Sequence, residues 1–85
     1  MSKKELYELN KSLLKYRKYA PKRRIADAVN CSLPWVSAVF NGSFEDDQMI
    51  AVAYEVIELC KELAAADIEK AKQKARERIN ADLAA

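Results

Sequence analysis

Eighty-five residues, 51% of them hydrophobic, suffice for one domain with one modest core and are too few for two. Histidine is absent, Cys31 and Cys60 lie far apart, and no acid/base pair, nucleophile or metal-ligand spacing stands out. An enzyme, a zinc site and a disulfide framework are therefore not expected, and no cofactor is called for.

The small net charge of +2 hides an uneven distribution. Residues 1–24 carry nine Lys/Arg against two acids, residues 25–69 one lysine against nine acids, and residues 70–85 five Lys/Arg against two acids. No apolar run approaches the length of a signal-peptide core or a membrane span, so a cytoplasmic protein without a membrane partner is expected.

In chain order, Ser2-Lys3-Lys4-Glu5 has the form of a capping box, which predicts a helix from Lys3 to about Tyr19. Leu6, Leu9, Leu13 and Tyr16 form its inward stripe, with lysines on the other faces. A second helix, Pro21 to about Val29, opens on a proline whose fixed φ suits a first turn and carries Ile25, Ala28 and Val29 inward. Asn30, which tolerates the left-handed conformation, ends it. Ser32 is placed to cap a third helix, Leu33 to Asn41, with Val36, Val39 and Phe40 inward. Gly42, the single glycine, stands where a C-terminal cap belongs. Trp35 is expected to cover the small core against the first helix, with base stacking or an interface role as the alternative.

Two short helices around a three-residue turn, with Ala26 as a small mid-helix residue, Asn30 at the turn and Ile25, Val29, Cys31, Val36 and Val39 as the apolar set, resemble the helix-turn-helix of the lambda-repressor-like superfamily. In this superfamily the lac repressor headpiece is also grouped, and Val36-Ser37-Ala38-Val39 followed by Asn41 is similar to its second helix. The resemblance covers about a quarter of the chain strictly. It implies a repressor-like regulator of transcription bound to double-stranded DNA as a homodimer, with a phage or other mobile-element origin.

By the same resemblance, Arg17, Lys18, Lys22, Arg23 and Arg24 at the junction into the motif would lie against DNA phosphates, where charge supplies the largest part of affinity. Leu33, Pro34, Ser37, Ala38 and Asn41 would face the bases. That set holds no Arg, Lys or Gln, so it implies recognition through thymine methyls and DNA shape, with Ser37 and Asn41 as the polar readers. The same nearly uncharged surface supports a second reading, a protein-interaction adaptor or anti-repressor on a helix-turn-helix scaffold.

After Gly42, Ser43-Phe44-Glu45-Asp46 reads as another capping arrangement for a helix from about Glu45 through Leu63. Its apolar residues fill two seams, Met49, Val52, Val56, Leu59, Leu63 and Ile50, Ala53, Ile57, Cys60, Ala64. So wide a face asks for a second surface, either the C-terminal segment folding back or an identical chain, and dimerisation through helix 45–64 and its extension is expected. From Asp67 a thin stripe of Ile68, Ala71, Ala75, Ile79 and Leu83 continues on a charged background, as one rod with the preceding helix or as a new start. The expected architecture is all-α, a four- or five-helix bundle with a helix-turn-helix and a long C-terminal helix. Residues 1–66 would be the DNA-binding domain and residues 67–85 its charged extension.

Overall fold

A computed structural model describes residues 2–84, and among them the chain is entirely helices and turns, with no strand. The elements are α1 (Lys3–Lys15), a single 3₁₀ turn (Arg17–Tyr19), α2 (Pro21–Val29), α3 (Leu33–Phe40) and α4 (Asp47–Ala84). The Ser2 hydroxyl accepts from the Glu5 N–H at 3.1 Å, which is the N-cap half of the expected box.

The first helix stops earlier than its periodicity predicts. Ala20 precedes Pro21, whose ring disfavours the α conformation in the residue before it, and Ala20 turns left-handed at φ 52°. The chain therefore tightens into a 3₁₀ turn at Arg17 instead of remaining α-helical to Tyr19.

Asn30 sits at φ 55° and ψ 54°, and the Cys31 N–H reaches back to the Ala26 carbonyl at 3.0 Å, closing α2. Ser32 then caps α3 through its hydroxyl and the Trp35 N–H at 3.3 Å. At the far end of α3, Gly42 takes φ 88° and the Ser43 N–H returns to the Ala38 carbonyl at 3.0 Å. The cap of α4 is Asp46, whose carboxylate accepts from the Met49 N–H at 3.0 Å. That helix therefore starts at Asp47, and Ser43 folds back onto Asn41.

The core gathers Leu9 and Leu13 of α1, Ile25 and Ala26 of α2, Val36, Val39 and Phe40 of α3, and Met49, Ala53, Val56, Ile57 and Cys60 of α4. On α2 it is Ala26 that turns inward; Ala28 is exposed, against the expectation, because the packed face follows Ile25, Ala26 and Val29. The most extensive packing is α2 on α4, and residues of both predicted α4 seams are buried by the chain's own helices as far as Cys60. The C-terminal segment does not fold back. It continues α4 without a break for 38 residues, about 57 Å at 1.5 Å per residue. The radius of gyration, 17.7 Å, exceeds the roughly 12 Å of a compact domain this size because that rod leaves the body.

Candidate nucleic-acid interface

Three cations, Lys22, Arg23 and Arg24, occupy the first turn of α2, and no acid accompanies them. A helix N-terminus carries the positive end of the helix dipole, so this placement opposes helix stability and suits an external anion. Arg17 and Lys18 join them from the 3₁₀ turn. Arg17 and Lys22 border one hollow, together with Asn10, Leu14 and Pro21. Arg23 is exposed on the outer face of α2, and Arg17, Lys22 and Arg23 make no ion pair among the described residues.

The other two predicted cations have intramolecular roles. The Arg24 Nε donates to the Tyr19 carbonyl at 2.8 Å, fixing the end of the 3₁₀ turn onto α2. Lys18 Nζ lies 3.4 Å from Asp67 Oδ2 on α4, and the Tyr19 hydroxyl donates to the same oxygen. The Tyr19 bond, followed by the Lys18 charge, lowers the Asp67 carboxyl below its ordinary range, and that bond to Asp67 raises the Tyr19 phenol above its own. Tyr19 and Asp67 thus fasten the basic junction to the point where α4 leaves the body. The helix runs straight through residues 66 and 67, the boundary expected between domain and extension.

On α3, Val36, Val39 and Phe40 face the core, which leaves Leu33, Pro34, Ser37 and Asn41 exposed and Ala38 half-buried. Asn41 is less available than its exposure implies. Its Oδ1 accepts from the Ser43 N–H at 2.9 Å and from the Ser43 hydroxyl at 2.6 Å, which fills both lone pairs. Reading an adenine with both ends of the amide would require breaking this turn.

Trp35 does not cover the core against α1. It remains 37% exposed at the flank of the same helix and stacks on Phe44, itself 53% exposed, with ring centroids 4.9 Å apart. Sequence reasoning passes over Phe44 because its partner depends on where the loop after Gly42 lands. It also misses Asn10, which donates to the Phe40 carbonyl at 2.8 Å and to the Leu6 carbonyl at 3.0 Å, holding the end of α3 against α1. The available signal is a polar residue beside the Leu6, Leu9 and Leu13 stripe.

Among the described residues no helix is long and apolar enough to cross a membrane, and no cluster of three or more potential ligands could hold a metal ion. A scan of family models, a search of curated proteins and a search of solved structures each return no match.

Proposed function

We propose that this chain is a non-catalytic, small DNA-binding regulator of transcription that uses α2 and α3 as a helix-turn-helix on double-stranded DNA and works as a homodimer. The observation that carries the reading is the charge at the start of α2: Arg17, Lys22 and Arg23 have no carboxylate partner among the described residues, and two of them stand at the positive end of a helix. The exposed, uncharged outer face of α3 supports it, with contact to thymine methyls and DNA shape giving weak sequence preference.

The test is titration against random-sequence duplex DNA at several salt concentrations, followed by fluorescence anisotropy. Affinity should fall steeply with salt, and Arg17→Ala, Lys22→Ala and Arg23→Ala should each flatten the log–log slope by about 0.9 for every phosphate no longer neutralised. Unchanged slopes in all three variants would remove the phosphate-binding role.

The adaptor reading gains from one observation, the exposed apolar group of Leu33, Trp35 and Phe44. Leu33→Glu separates the two readings. Loss of a protein partner with unchanged DNA affinity would favour the adaptor, whereas weakened DNA binding favours the regulator.

A further inference from the structure

One face of α4 changes character where the helix leaves the body. Met49, Val56 and Leu63 follow one another at seven-residue steps, and Asp67, Lys70, Lys74 and Arg78 continue at steps of four, three, four and four, so all of them share that face. Met49 and Val56 are buried and Leu63 is half-buried. Asp67 meets Lys18 and Tyr19 of the basic junction, immediately ahead of α2. Beyond Asp67 the face that looked into the body turns cationic, and the apolar ridge of Ala53, Ile57 and Ala64, continued by Ile68, Ala75 and Ile79, runs beside it.

Lys70, Lys74 and Arg78 are exposed and make no ion pair among the described residues. Lys70 joins directly onto the junction, since after Tyr19 and Lys18 its charge also helps to hold the Asp67 carboxyl low. Successive members stand about 6 Å apart along the helix, and the row ends about 16 Å beyond Asp67. Like charges four residues apart repel within a helix, so the row weakens the rod and suits an external polyanion. The opposite side of the rod differs: Lys72, about 200° around the helix from Lys70 and Lys74, lies 3.6 Å from Glu69.

We propose that Lys70, Lys74 and Arg78 are a second contact on duplex DNA, extending the phosphate-binding surface of the basic junction outward along the rod. Charge selects this occupant. Residues 25–69 carry one lysine against nine acids and repel a polyanion, whereas the junction and the outer face of the rod attract one and adjoin at Asp67. Each further phosphate neutralised releases counterions and adds to affinity without any base contact, which matches a recognition helix that has no charged reader.

The inference rests on the DNA-binding reading, and the two can fail separately. The full chain is titrated with random-sequence duplex DNA at several salt concentrations, and two variants each remove two charges from the rod. Lys70→Gln/Lys74→Gln clears the proposed face and Lys72→Gln/Arg76→Gln the opposite side; Gln keeps a helix propensity close to that of Lys and Arg, and circular dichroism should show both variants folded. The first should flatten the log–log slope by about 1.8 and the second should leave it unchanged. Amide exchange through residues 70–78 should slow when duplex is bound. Equal slopes for the two variants, whether both flattened or both unchanged, overturn the contact. If both are unchanged while Arg17→Ala, Lys22→Ala and Arg23→Ala flatten the slope, DNA binding stands without the rod. No affinity of the wild type for duplex at low salt removes both, and binding to vesicles of anionic phospholipid in its place gives the strip to a membrane surface.

Discussion

The two halves of α4 have the same secondary structure and share one apolar ridge, yet their circumstances are opposite. Between Met49 and Cys60 the ridge is sealed, chiefly by α2 and also by α1; from Ile68 onward it is bare. The difference lies in the chain that precedes the helix. Ala20, Asn30 and Gly42, at φ 52°, 55° and 88°, reverse the path three times and bring α2 and α1 against the first half of α4, with α3 packed on α2. Among the described residues nothing returns over the second half. A helical ridge of this kind therefore becomes core only where the turns before it supply cover.

The largest test of that contrast is a matched pair of truncations in dilute protein. Ile57→Ala, in the sealed half, should cost about 2–5 kcal/mol, whereas Ile79→Ala, in the bare half, should fall within about 0.5 kcal/mol. Denaturant melts measure both, and equal costs would break the comparison. Amide exchange should divide at the same place, with residues 53–60 protected to nearly the global stability and residues 75–84 exchanging rapidly in the monomer.

The turns should respond next. Gly42→Ala forces a Cβ into the left-handed region and should destabilise by about 1–2 kcal/mol. Ala20→Gly relieves the same strain and should stabilise by roughly 1 kcal/mol, raising Tm by about 4–8 °C.

The smallest effect belongs to the seam between the halves, where Tyr19 bonds Asp67. Asp67 titrates lower in the fold than in the unfolded chain, so its contribution is present above the unfolded pKa and is lost as pH falls through the folded one. Tyr19 titrates higher in the fold, so its contribution is present below the unfolded pKa and is lost as pH rises through the folded one. Tyr19→Phe should therefore melt below the wild type at neutral pH. The two melting curves should converge at both the acid and the alkaline end, and a constant gap would remove the bond as the cause.

Local chemistry makes much of this legible in the sequence. Ser2, Asn30, Ser32 and Gly42 act on backbone groups within a few residues of themselves, so their caps can be assigned without any tertiary structure. The stripe of Leu9 and Leu13 and the inward face of α3 follow equally from helical spacing. What escapes depends on groups remote in the chain or on competing turns. Lys18 and Asp67 are 49 residues apart, and Asn10 and Phe40 are 30 apart. Trp35 turns outward because Phe44 offers it a ring, and Ser43 is drawn to Asn41 instead of capping α4. The basic cluster is visible as composition, but its division into supporting and unpaired members is not.

The unbroken α4 also has a mechanical meaning. With no glycine or proline between Asp47 and Ala84, it transmits rotation about its own axis as well as length. One residue inserted near Ala65 would turn everything beyond it by about 100° relative to the body, whereas an insertion of 11 would bring the outer ridge nearly back into phase, about 16 Å further out. The angular setting of the tip is thus written in the count of residues between Cys60 and Ile68, as the phase of a screw is set by its thread.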